Sequence, residues 1–320
     1  MLHSAKVHYD ASSALSQGQR DSQEDAIVAD FPIGSEMGFA VLSDGMGGHA
    51  SGDVASKIVV TEVFSELKLN AGDPETLELN IDSILREAAI SANACLLHHA
   101  DACPDSEGMG ATLVAPVLFK NRLYWISIGD SPLYLFRDGN LHRLNEDHSL
   151  TPQFDYLVSQ GVMKEEDALN HPDRNCLTSV LIGQDIPLID CPHDPVELQI
   201  NDIVIAASDG LQFLPEERIA GILAARADRS SSEIGAMLLN ELKDLNDPGQ
   251  DNISLCIVKV MAQAAETIET TEPAEPVALA PVNRPAPVRQ MAQTRTVASA
   301  GSTTKTEYFC RVSVKRAAEN

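Results

Sequence analysis

Strand-like and helix-like segments fall in blocks rather than in alternation, and this order restricts the fold more than any other feature of the chain. Short or alternating apolar runs at Lys6–Ala11, Ala26–Phe31 and Phe39–Ser43 read as strands. Two helices are expected next. Val54, Ile58, Thr61 and Val63–Leu67 mark the first, and apolar residues from Leu77 to Cys95 repeat at three and four residues over a second, Glu75–Ala100. Thr112–Phe119, Leu123–Ile128, Leu133–Phe136 and Leu141–Leu144 then read as a meander. Its last two runs are joined by Arg137-Asp138-Gly139-Asn140, and Asp-Gly between apolar runs is a strong hairpin signal. After an irregular stretch to about Pro195, Ile203–Ala207 is a buried strand. Helices follow near Glu216–Ala227 and Ser232–Leu245, the second opened by the capping box Ser230-x-x-Glu233, and Ile253–Val260 is a last strand. Strands in runs and helices in runs indicate an α+β fold on antiparallel sheets and exclude βαβ alternation.

Of the 320 residues 44% are hydrophobic, an ordinary globular value that excludes a disordered or fibrous chain. The formal charge of −24 should repel nucleic acid and anionic membranes and attract cations. The N-terminus has no apolar signal segment, and no run approaches the roughly 18 apolar residues of a membrane span, so the cytoplasm is expected. Six scattered cysteines without a C-x-x-C pair suit neither a disulfide framework nor a zinc site. Composition shifts near Ala262. Five prolines lie between Pro273 and Pro287, and the stretch 262–320 holds seven basic against six acidic residues. The excess negative charge therefore belongs to a body, 1–261, and the remainder reads as a poorly ordered tail. Near its end YFCRVSVKR alternates, which suits either an edge strand added to a partner or an unstructured terminus.

Aspartates sit at the ends of the apolar strands. FAVLS runs into Asp44-Gly45, YWISIG into Asp130-Ser131 and DIVIAAS into Asp209-Gly210, while Asp251-Asn252 opens into ISLCIV. Turn formation alone explains any one Asp-Gly pair. Four acids at strand boundaries, two of them in Ser-Asp-Gly, suggest instead a carboxylate cluster at one rim of a sheet. Hard divalent cations prefer such oxygen ligands. Arg20 lies four and five residues before Glu24 and Asp25, either as a surface ion pair or as a fork for a phosphate.

Taken in order, G-x-R-x-x-x-E-D (Gly18 to Asp25), SDGMGGHASG (Ser43 to Gly52), GMGATLV (Gly108 to Val114), IGDS, ASDG and GQDN resemble the metal-dependent serine/threonine protein phosphatases of the PPM, or protein phosphatase 2C-like, family, bacterial branch. The likeness covers about residues 5–260, and 146–195 is similar to the flap of bacterial members. It implies a four-layer α-β-β-α sandwich carrying two Mn²⁺ or Mg²⁺ ions, with a third position also possible. Asp44 would bridge the two ions, the Gly45 carbonyl would bind one, and Asp209 and Asp251 would complete the other. Glu24 and Asp25 would hold metal-bound water, Asp130 with Asp209 would form the weaker third position, and Arg20 would clamp the substrate phosphate. His49 stands as candidate general acid, since Met46 occupies the place of the histidine found in eukaryotic members.

The activity so implied is hydrolysis of phosphoserine and phosphothreonine in proteins by direct attack of a metal-bridging hydroxide, opposing a bacterial serine/threonine kinase, by a monomer. The alternative is a non-catalytic phosphoprotein-binding or scaffold module on the same fold. Loss of ligands would mark it, and Asp44, Asp209 and Asp251 are all present. His98-His99 with Cys103 lacks further nearby ligands and suits the last turn of a helix instead.

Overall fold

The computed structural model describes residues 7–47, 50–106 and 108–262. Strands β1 (Val7–Ser16), β2 (Asp25–Asp30) and β3 (Met37–Met46) come first, followed by helices α1 (Ala50–Asn70), α2 (Pro74–Leu79) and α3 (Ile81–Ala102). Next come β4 (Gly110–Ala111), β5 (Leu113–Phe119), β6 (Arg122–Ile128), β7 (Leu133–Arg137) and β8 (Asn140–Arg143). Helices α4 (Thr151–Ser159) and α5 (Glu165–Leu169) precede β9 (Val196–Glu197) and β10 (Ile203–Ala207). The described chain closes with α6 (Glu216–Ala225), α7 (Ser231–Leu245) and β11 (Ile253–Ala262).

Two antiparallel sheets face each other. One runs β1-β11-β10-β7-β8; the other runs β2-β3-β5-β6-β9, with β4 paired to β3. Three apolar clusters fill the three gaps of this stack, which makes it four layers. Leu42, Trp125, Leu135 and Val258 meet between the sheets. Val59, Val63, Leu85 and Leu96 of α1 and α3 pack on Phe39, Val117 and Ile126. Ile219, Leu223, Ile234 and Leu238 of α6 and α7 pack on Ile205, Leu255 and Ile257. Alternate residues of one strand thus feed different gaps: on β6, Tyr124 faces the helices and Trp125 the opposing sheet.

Three expectations need correction. The meander is two hairpins in different sheets: β5 pairs with β6, β7 pairs with β8, and the chain crosses between sheets at Gly129–Pro132. Gly129 there has φ +107, and Pro132 can donate to no ladder. The single helix over Glu75–Ala100 is two, broken at Asn80, which ends α2 and begins α3. Leu77 and Ile81 keep their four-residue spacing across the break, so apolar periodicity does not register it. The stretch to Pro195, read as irregular, contains α4 and α5. The Asp138-Gly139 hairpin is present, with φ of 50° and 84° at its two central residues. Ser230 and Glu233 form the reciprocal capping box of α7.

Candidate metal centre

Antiparallel pairing brings the acids to one end of the sandwich. Asp44 on β3 stands directly across from Asp25, the first residue of β2. Asp130 follows β6, Asp209 follows β10, and Asp251 precedes β11. The pairing of Ala207 with Leu255 sets the Asp209 and Asp251 ends side by side. Arg20, Glu24, Asp44, Gly45, Asp130, Asp209 and Asp251 all line one open cleft of about 760 Å³. Asp25 is not on its wall. It lies buried behind Asp44 and accepts the Ser208 hydroxyl at 2.7 Å. His49 and the tail residues 263–320 lie outside the described residues.

Neutral groups hold the acids in place. Thr112 Oγ1 accepts the Asp44 N–H at 3.0 Å, and the Thr112 N–H donates to the Asp44 carbonyl at 2.8 Å. Ser131 Oγ meets Thr112 Oγ1 at 2.9 Å. Asn252 Oδ1 accepts the Glu24 N–H at 2.7 Å, while its amide donates to the carbonyls of Gln17 and Ser22. Glycine serves the protein's own close contacts. A Cβ on Gly45 would stand 2.0 Å from the Gly52 carbonyl oxygen, and one on Gly210 would stand 2.0 Å from that of Asn252. The Arg20 guanidinium is more than half exposed at the rim and reaches back to Asp251.

The electrostatics are those of a site made for cations. Asp44, Asp130 and Asp209 are deeply surrounded by protein yet open to the cleft. Burial pushes Asp25 and Asp130 up to about 7 each and Asp209 to about 6, with neighbouring carboxylates adding to each shift. Asp44 lies well above the ordinary carboxylate range, through burial and then through Asp25, Asp209 and Asp130. Like charges gathered this closely favour a retained proton or a bound cation. Buried oxygens Oδ1 of Asp25 and of Asp209 have no hydrogen-bond partner among the described residues. Among those residues no three His, Cys, Asp or Glu side chains close on a single ion-sized point; the acids ring the cleft instead. An all-oxygen donor set with unsatisfied buried oxygens fits hard divalent cations.

Asn175, Cys176, Leu177 and Val180, from the segment 146–195, form the remaining wall. Thr112, Ser131 and Ser208 fall within the quoted motifs and that wall within 146–195, but the sequence assigned none of them a supporting role. His98 and His99 sit in the closing turns of α3.

Known proteins share both sequence and fold with this chain. The family model described as Protein phosphatase 2C matches residues 16–245. The serine/threonine phosphatase stp of Listeria welshimeri is 33% identical over 224 residues, which is 68% of this chain and 83% of that protein. The structure of the Mycobacterium tuberculosis serine/threonine phosphatase PstP is 28% identical, has a TM-score of 0.65, and covers 80% of this chain and 99% of that one. The catalytic domain of PstP in complex with two manganese ions is also 28% identical, with a TM-score of 0.62 over 80% of this chain and 99% of that one.

Proposed function

The chain belongs to the protein phosphatase 2C family, the metal-dependent protein-serine/threonine phosphatases, and from that premise we propose how its own residues divide the work. Asp44, the Gly45 carbonyl, Asp209 and Asp251 hold two divalent ions, Mn²⁺ or Mg²⁺. Asp130 with Asp209 offers a weaker third position. Glu24 in the cleft wall, and Asp25 behind Asp44, would hold water of such ions. The observation that carries this reading is the convergence of strand-end carboxylates on one cleft, with unpaired buried oxygens on Asp209 in its wall and on Asp25 behind it. When bound, such ions supply a water nucleophile near neutral pH and offset charge developing on the phosphoryl oxygens.

The protein's other contributions are positional. Thr112 and Ser131 fix the Asp44 backbone, so its carboxylate keeps its aim. Arg20, at the mouth, presents a planar fork suited to two phosphate oxygens, and its contact with Asp251 keeps that fork beside the ions. The Asn175–Val180 wall meets the polypeptide that carries the phosphate. His49 protonates the leaving serine or threonine oxygen, a role suited to an imidazole near neutral pH. Substrates are phosphorylated proteins. We further propose that a bacterial serine/threonine kinase supplies them, that the enzyme acts as a monomer in the cytoplasm, and that 1–261 is the catalytic body with 262–320 an appended tail. No helix among the described residues is long and apolar enough to cross a membrane.

Calorimetric titration of Mn²⁺ into protein stripped with EDTA tests the ligand assignment. Two binding events are expected for the wild type. Asp209→Asn should weaken them and lower kcat by more than roughly 100-fold, beyond the cost of losing an outer partner of a metal ligand. Unimpaired binding and turnover in that variant would refute the assignment.

A further inference from the structure

The crossover Gly129–Leu133, which carries Asp130 from one sheet to the other, has its backbone held mainly by one short stretch, Arg143–His148, while the Pro132 carbonyl accepts the Ala207 N–H at 3.0 Å. Arg143 Nη2 donates to the Asp130 carbonyl at 2.7 Å. Asn145 Nδ2 donates to the Ser131 carbonyl at 2.9 Å, and its Oδ1 accepts the Leu133 N–H at 2.8 Å. His148 Nδ1 accepts the Gly129 N–H at 3.2 Å, and the His148 N–H donates to the Gly129 carbonyl at 3.1 Å. Asn145 and His148 are 6% and 1% exposed, so water cannot replace these partners.

His148 also faces the opposite way. Its carbonyl accepts the Thr178 N–H at 2.7 Å, and the next residue, Ser149, pairs with Leu177. Leu177 belongs to the cleft wall opposite the carboxylates. The imidazole accepts at Nδ1, which places its proton on Nε2. That buried Nε2 has no hydrogen-bond partner among the described residues; Glu146 Oε2 stands 3.7 Å away. An unpaired buried donor is unfavourable, so packing alone gives no reason for a histidine here. The acceptor at Nδ1 does.

We propose that His148 is a positioning residue for the phosphatase reaction: through Gly129 it sets the place of Asp130, and through Thr178 it ties that place to the cleft wall at Asn175–Val180. This rests on the reading of Asp130 as a cation-binding residue. The side chain needed is one with an acceptor two bonds beyond Cβ. Asparagine has it in Oδ1; glutamine, with similar polarity and greater length, does not.

The test compares His148→Asn and His148→Gln in the full-length chain. Hydrogen–deuterium exchange of the metal-free protein reads the contact directly. Exchange at the Gly129 amide should accelerate in His148→Gln and return towards the wild-type rate in His148→Asn. With Mn²⁺ present, His148→Gln should lower kcat on a small phosphate ester by roughly tenfold, as misplacement of a reacting group does, with little change in KM, and His148→Asn should recover most of the loss. Combining His148→Gln with Asp130→Asn should cost no more than Asp130→Asn alone. Multiplying losses, or exchange and kcat alike in the two His148 variants, would overturn the proposal while leaving Asp130 in its role. An Asp130→Asn variant with wild-type kcat would refute the Asp130 reading and the proposal with it.

Discussion

Asp25, Asp130 and Asp209 hold their protons to about pH 7, 7 and 6 in the metal-free fold, against roughly 3.9 for an exposed aspartate. Between those limits the folded protein binds more protons than the unfolded chain, so its stability falls as pH rises. The contribution is fully present below about pH 4 and is lost as pH passes through 6 to 7. In EDTA the urea midpoint should therefore drop from pH 5 to pH 8. Saturating Mn²⁺ should flatten or reverse that trend, because cations bind the deprotonated carboxylates. A midpoint that rises with pH in EDTA would contradict the burial of these acids. The acids themselves were legible, since each stands where an apolar run starts or stops. Their supports were not: Ser208 reaches Asp25 across 183 residues of chain and Thr112 reaches Asp44 across 68. A serine or threonine beside a strand looks the same in sequence whether or not a carboxylate arrives from elsewhere.

Elements were read well where the signal is local and poorly where it is relational. The Asp138-Gly139 turn and the Ser230 cap depend on neighbouring residues, and both are present. The assignment of two hairpins to different sheets depends on distant partners, and only Gly129 and Pro132 hinted at the crossing. The root of the segment 146–195 is likewise relational. Asp190 Oδ2 accepts from Trp125 Nε1 and from the Glu146 N–H, each at 3.0 Å, so one carboxylate gathers both ends of the segment at the protein's single tryptophan. Asp190→Ala should therefore lower stability by about 1–3 kcal/mol and change the Trp125 emission maximum as the indole N–H loses its carboxylate acceptor. An unshifted spectrum with unchanged stability would show that this carboxylate does not anchor the segment.

At the scale of the whole molecule, a formal charge of −24 surrounds a cleft that must admit a phosphorylated, hence anionic, residue. Under the proposed assignment, cations in the cleft and Arg20 at its mouth would offset that repulsion locally, while the wider field would favour peptides with basic flanks. At low salt, phosphothreonine peptides flanked by Lys or Arg should show lower KM than acid-flanked ones. The difference should shrink as ionic strength shortens the reach of the field. Equal KM values at low salt would mean that the cleft alone selects substrates. The block order of strands and helices indicated only an α+β fold on antiparallel sheets; the four layers came from the family resemblance, and their closure rests on three separate apolar interfaces that no single stretch of sequence displays.

Phosphate release from a phosphothreonine peptide, followed with Mn²⁺, with Mg²⁺ and with EDTA, tests the cation-dependent carboxylate centre most directly, with Asp44→Ala as the control. We expect release with a divalent ion, none in EDTA, and loss of release in Asp44→Ala protein that still melts cooperatively. Release that persists in EDTA, or in folded Asp44→Ala, would contradict the assignment of the strand-end carboxylates as the catalytic metal centre.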